Sequence, residues 1–281
     1  MDSLRVWNVG AAVVHTTAAV LSATLLNKKD NRTVTMYRSE FDKDVEVTSR
    51  VDLPAKLTES STVDLKYILV AFFGITAVAH GLYATDFFGR GWYSKSVLGF
   101  GWNPFRWIEY SLSASLMIYL ISIVSGTKDQ VSAISAALIT PGLMINGFTL
   151  ERALKQNEVH AWSVKEGPKP DIDNEIIYSN LIPAWGLFAV HWYIILSNYS
   201  RFVKEAKDAG RPIDNSVVFM VFSQLFFFSL FGVIQTYQVW RWSTAHKGRK
   251  EPSYVVYEKA YIILSSVTKL LLAGTVAYAI R

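Results

Sequence analysis

The sequence has no cysteine among its 281 residues. It therefore contains no disulfide, thiolate nucleophile or zinc–thiolate site. Charge is also scarce, since Asp, Glu, Lys and Arg together make up 18%, against about 25% in an ordinary soluble domain. The excess of Lys plus Arg, 28 against 23 acidic residues, is small. The basic residues lie between hydrophobic runs instead of clustering on one face, so a nucleic-acid partner is excluded. No phosphate loop, nucleophile elbow or metal-ligand cluster is visible, which argues against an enzyme and a metal site. Hydrophobic residues are plentiful at 51%, with nine Trp, and this composition excludes a disordered chain.

The apolar residues fall in seven blocks, each close to the roughly 20 residues that a helix needs to cross a bilayer core. They are Leu4 to Leu26, Val63 to Phe87, Val97 to Val124, Val131 to Leu150, Ile176 to Tyr199, Ser216 to Trp240 and Tyr254 to Ile280. They are apolar nearly all round, whereas surface helices of soluble proteins carry a stripe. The first block lacks the basic start and cleavage site of a signal peptide. The expected fold is an all-α membrane protein, a seven-transmembrane helix bundle forming one domain over residues 1–281.

The connections are short except for residues 27–62. There Arg32-Thr-Val-Thr-Met-Tyr-Arg and Asp44-Val-Glu-Val-Thr alternate polar and β-branched residues and suggest a hairpin outside the membrane. Basic residues divide almost evenly between the two sides. The most one-sidedly basic short loop, Arg241 to Lys250, places the N-terminus in the cytoplasm and the C-terminus outside. That loop also offers a surface to anionic lipid or to a cytoplasmic partner.

An ionisable side chain inside a membrane helix is a functional hypothesis by default. Apart from histidines, Lys269 and Glu109 stand out near the helix centres. Lys269 is some fifteen residues, or about 22 Å, into the seventh block, too deep to snorkel easily. A buried ammonium must be neutralised, paired or modified. A structural ion pair with Glu109 is one reading. A lysine forming a Schiff base with a carbonyl ligand, with Glu109 as counterion, is the other. Helical spacing puts Ser113 one turn after Glu109 and Ser265 one turn before Lys269, where each hydroxyl can bond the pair.

Seven helices, a lone lysine in the last and a carboxylate on the third resemble a microbial-type retinal protein. Arg106-Trp-Ile-Glu-Tyr-Ser-Leu-Ser-Ala, the long first loop and Ser265 before Lys269 resemble heliorhodopsin more specifically, over essentially the whole chain. The resemblance implies all-trans-retinal bound to Lys269, an inward N-terminus, and a homodimer with the long loop near the partner. Pumps usually carry a second carboxylate where this chain has Ser265. They also tend to carry one three turns beyond the counterion, where this chain has Leu120, so the relay of a proton pump is missing at both places. His15 and His80 match a pair of histidines associated with proton acceptance near the counterion; His191 lies inside the fifth block. Arg106 and Asn103 suggest a polar cavity towards one surface, and Pro104 a kink in the third helix.

An apolar slot lined by aromatics would hold the polyene. The candidates are Tyr110, Met144, Asn146, Gly147, Trp185, Trp192, Phe227, Phe231 and Gln235, of which Phe227, Phe231 and Gln235 share one face of the sixth helix. Trp92, Trp102, Trp240 and Trp242 fit an interfacial belt. The reading is a photoreceptor in which light-driven isomerisation and proton transfer change the conformation for signalling, without ion pumping. The alternative is a light-gated ion or proton channel, with Glu109, the histidines, Asn146, Gln224 and Gln235 along its path. A transporter is disfavoured by the absence of repeats.

Overall fold

Helix formation in the apolar blocks follows from the bilayer, which leaves backbone amides no partner outside their own segment. The computed structural model describes residues 2–28, 32–45, 55–87, 91, 93, 97, 101–163, 174–211, 213–245 and 254–280. Among them are seven helices long and apolar enough to cross a membrane. These are α1 (Asp2–Leu25), α2 (Leu65–Thr85), α3 (Pro104–Val124), α4 (Gln130–Ser163), α5 (Asn174–Asp208), α6 (Asn215–Ala245) and α7 (Tyr254–Ala279). The protein is an integral, multi-pass membrane protein. Most helices are offset from the apolar blocks because helix ends obey capping chemistry as well as hydropathy. The longest, α5, has 35 residues and spans roughly 52 Å, well beyond a hydrocarbon core of about 30 Å.

The third helix corrects the sequence reading. It begins at Pro104, not near Val97, and Pro104 occupies its first turn without kinking it. Proline's missing N–H is no loss there. Asn103 is the cap, its side chain accepting from the backbone N–H of Arg106. The interior prolines are Pro141 in α4 and Pro183 in α5, and both helices continue through them.

The hairpin exists, but its second strand lies elsewhere. Strand β1 (Thr33–Phe41) pairs antiparallel with β2 (Ala55–Asp64), with a register shift between Met36 and Tyr37. Asp44 and Val45 sit in the turn after β1, and residues 46–48 of the expected strand lie outside the described residues. The alternation in Asp44-Val-Glu-Val-Thr was a local signal; the longer Ala55–Asp64 segment won because its end is tied to the bundle. Asp64 caps α2 through the Lys66 amide and also pairs with Arg32 at 2.9 Å.

The hairpin closes one end of the bundle. Met36 is fully buried in the main core. Tyr37 N–H donates to the carbonyl of Lys128 at 2.9 Å, and Ser60 bonds the side chain of Gln130 at the start of α4. The exposed pairs of Lys56 with Asp42 and Asp44 contribute little by comparison. Met36→Ala is expected to loosen this cap by about 2–5 kcal/mol, the usual range for a buried Met truncated to Ala. Faster hydrogen exchange in residues 33–64 is the measurement, and unchanged protection would refute the anchoring role.

Beneath the cap, the half of the bundle between hairpin and midplane is a dense apolar core, with Leu69, Phe72, Phe73, Ile118, Ile121, Ile195 and Val276 among its buried members. The opposite end, shared by the start of α1, the end of α2 and the starts of α3 and α7, holds the buried charge cluster of Arg106, Glu151 and Glu258. This asymmetry frames the site.

Candidate functional site

The site lies where the two halves meet. Lys269 and Glu109 are both almost fully buried, and Nζ of Lys269 donates to Oε1 of Glu109 at 2.8 Å. The same oxygen accepts from Ser113 at 2.7 Å and from Thr76 at 2.5 Å. Nζ also donates to Ser265 at 3.0 Å and to Thr76 at 2.7 Å. The four residues expected to meet therefore do meet. Ser113 serves the carboxylate and Ser265 the amine, each one helical turn from its partner. Thr76, on α2, escaped the sequence reading. It carries no charge, and only the α2–α3 packing brings its hydroxyl between the two ions.

A ligand of this pair would have to sit in the cavity beside it. Lys269, Ser265, Ser113, Tyr110, Met144, Gly147, Trp185, Phe231 and Gln235 all line that cavity. Three expected lining residues do not. Asn146 turns back to its own helix, donating to the Gly142 carbonyl at 2.9 Å. Trp192 is buried in the main core instead. On α6 the cavity keeps Phe231 and Gln235 but takes Phe228 and Gly232 in place of Phe227, so the inward face is turned by about half a residue from the face assumed. Trp107, Met117, Thr140, Leu143, Phe188, His191 and Tyr261 were missed, because one sequence does not fix which face of an apolar helix turns inward.

The residues present fit an aromatic-walled slot for a long conjugated chain. A Cβ on Gly147 would come within 2.4 Å of the Trp107 ring, and one on Gly232 within 2.8 Å of Trp185. Each glycine thus lets an indole ring approach the backbone closely. Tyr110 meets Phe231 edge-on, and Phe231 stacks on Tyr261 at 6.2 Å. The Tyr110 ring lies 5.4 Å from Nζ of Lys269.

Two polar groups lie on the far side of the pair from the hairpin. His15 and His80 stack with centroids 5.9 Å apart. His15 Nε2 is 3.2 Å from Ser266 Oγ, and His80 Nδ1 is 2.7 Å from Asn8 Oδ1. Asn8 donates to Tyr93, and Tyr93 donates to Glu258 at 3.1 Å in both cases. Arg106 then bridges Glu258 and Glu151, the latter at 2.7 Å. Asn103 donates to Glu258 at 2.7 Å, Trp107 to Glu151 at 2.8 Å and Tyr254 to Glu151 at 2.6 Å. Arg106 and Asn103 thus share a polar cluster, as expected. Glu151 and Glu258 were missed because Glu151 falls just past its apolar block and Glu258 near the start of its helix, where a carboxylate reads as interfacial. Of the expected belt, Trp240 is about half exposed, while Trp92 and the Trp242 side chain lie outside the described residues. So does most of the basic loop after Arg241.

A seven-helix membrane bundle with a buried lysine–carboxylate pair facing an aromatic slot defines the class of microbial-type rhodopsins. The chain belongs to the heliorhodopsin family, whose model matches residues 4–166. The matched region runs from α1 past the end of α4 and includes Glu109, His15 and His80; Lys269 falls beyond it. No curated protein matches the chain. As a member of this family, the protein is a retinal-binding, light-sensing rhodopsin.

Proposed function

We propose that the chain is a photoreceptor whose all-trans-retinal is held on Nζ of Lys269 as a protonated Schiff base, with Glu109 as its single counterion, and that light triggers signalling without ion pumping. The observation that carries this reading is the buried Lys269–Glu109 pair on the wall of an aromatic cavity. Retinal supplies the light absorption and the isomerisation. The protein supplies the rest. Three donors converge on one oxygen of Glu109 beside the amine nitrogen. The aromatic walls restrict the chain to one shape.

The proton on Nζ has a destination on one side only. Asn8 spends both amide hydrogens on Leu4 and Tyr93, so its oxygen is left to accept from His80. Neutral His80 therefore carries its hydrogen on Nδ1 and leaves the Nε2 lone pair free to take a proton. His80, with His15 stacked on it, is our proton acceptor. Beyond it, Asn8 and Tyr93 link the added charge to the carboxylate of Glu258, which Arg106 holds in place. Towards the hairpin the buried residues are predominantly apolar, and Leu120 offers no donor. This one-sidedness supports transient proton storage over transport. The channel alternative gains little, since Asn146 bonds its own helix and Gln224 is tied to the Thr268 carbonyl.

In the same reading the N-terminus is cytoplasmic and the hairpin extracellular. A second copy packs near the hairpin as a homodimer, and a cytoplasmic partner reads the polar end.

The test is the visible spectrum and photocurrent of the protein supplied with all-trans-retinal. A visible band without stationary photocurrent supports the photoreceptor, and a sustained current supports the channel. Glu109→Gln is expected to shift the band to the red, because losing the counter-charge narrows the excitation gap; an unmoved band removes Glu109 as counterion. His80→Ala is expected to slow formation of the deprotonated intermediate by about tenfold or more, the low side of what a positioned base contributes. An unchanged flash-photolysis trace would sink the role of His80.

A further inference from the structure

We infer that the cavity is built for a retinal whose ring carries an oxygen, a hydroxyl or keto group, held by Thr140 and His191. This rests on the reading that the cavity binds retinal, and it names which retinal. Thr140 on α4 and His191 on α5 both line the cavity, and each is 2% exposed. Thr140 Oγ1 and both ring nitrogens of His191 have no hydrogen-bond partner among the described residues. Around them the far wall is apolar: Leu143, Leu181, Ala184, Trp185 and Phe188.

Their place in the bundle assigns them to the ring end. The aldehyde end is fixed by Lys269 on α7, which packs against α1, α3 and α6, whereas α5 packs chiefly against α4 and α6. Thr140 and His191 thus face Lys269 across the slot. At the lysine end the hydroxyls are satisfied: Ser113 bonds Glu109, Ser265 bonds Lys269, and Thr268 bonds the Leu264 carbonyl at 2.6 Å. Gln235 leaves its Nε2 open but is tied to α7 by Tyr261 at 2.8 Å.

A neutral imidazole offers one donor and one acceptor, and a threonine hydroxyl offers both. A ring hydroxyl can accept from one and donate to the other, and a keto oxygen can accept from both. A hydrocarbon ring would leave three buried polar atoms unpaired, whereas one ring oxygen pairs two of them, and unpaired buried polar atoms are what native sites avoid. Pairing them should favour the oxygenated ligand by about tenfold.

The test is competition in retinal-free full-length protein, with all-trans-retinal against all-trans-3-hydroxyretinal and, separately, against all-trans-4-hydroxyretinal. The bound chromophore is then extracted and quantified. At least one hydroxylated form is expected to win by about tenfold, and the preference should collapse to near unity in Thr140→Val/His191→Phe. Equal uptake in the unmodified protein means that water satisfies these groups and overturns the inference, leaving the photoreceptor reading intact. Persistence of the preference in the double variant also overturns it. Failure of every aldehyde to form a coloured pigment overturns the retinal reading and this inference together. Thr140→Ser/His191→Gln, which keeps hydrogen-bonding capacity, should retain part of the preference and separates lost recognition from lost folding.

Discussion

Lys269→Ala is expected to abolish the visible band completely. Among the described residues lining the cavity, Lys269 is the lysine, so no neighbouring amine can take its place. Folding is the confounding effect. Removing the ammonium leaves Glu109 buried with only hydroxyl donors, and breaking a buried ion pair from one side destabilises by about 3–5 kcal/mol. The decisive comparison adds Lys269→Ala/Glu109→Gln. That variant removes the orphaned charge and should recover most of the thermal stability while staying colourless. A band at visible wavelengths in either variant would show that the pigment is not attached at Lys269. The protonated imine would then have to form on another amine, and the Lys269–Glu109 pair would be structural.

The second large effect falls on stability rather than colour. Arg106→Ala should destabilise the bundle by about 3–5 kcal/mol, because Glu151 and Glu258 would be left facing each other, buried and without a counter-charge. Arg106 also lies 4.1 Å from the centroid of the Tyr261 ring, so packing is lost along with charge. For a chain of this size the loss corresponds to roughly 10 °C in unfolding midpoint. Neutralising the carboxylates as well, in Arg106→Met/Glu151→Gln/Glu258→Gln, should restore much of it, since a buried charge cluster can often be replaced by neutral groups at little loss. A midpoint within about 2 °C of the unmodified protein for Arg106→Ala would show that water already reaches the cluster and screens it. Because the cluster joins α3, α4 and α7 at the end away from the hairpin, the same variant should raise hydrogen exchange there and leave the hairpin protected.

These variants also show how far one sequence can be read. The seven spans were legible because burial in lipid demands long apolar runs, and that demand acts on each segment separately. Lys269 and Glu109 were legible for the same reason, since a charge inside such a run is conspicuous. Their neighbours at i±4, Ser113 and Ser265, followed from helical periodicity. The β hairpin was legible in kind but not in register: Asp44-Val-Glu-Val-Thr alternates well, yet β1 pairs with Ala55–Asp64. Pairing depends on what the two ends are fastened to, here Arg32 with Asp64 and Met36 in the core.

Thr76, Glu151, Glu258, Tyr93 and Asn8 were not legible as site residues. Each is ordinary where it stands in its own helix or loop, and acquires a role only when another helix brings a charge to within hydrogen-bonding distance. The substitution of Phe228 for Phe227 in the cavity wall has a related cause. An all-apolar helix has no stripe to declare its inner face, so its rotation is set by packing against neighbours. The sequence by itself determined the membrane class, the number of spans, and the lysine and carboxylate at the centre. The tertiary structure decided which face of each helix turns inward, which hydroxyl serves which ion, and on which side of the pair the polar groups collect. Lipid solvation acts on a segment alone, whereas contacts between segments exist only once the helices are packed.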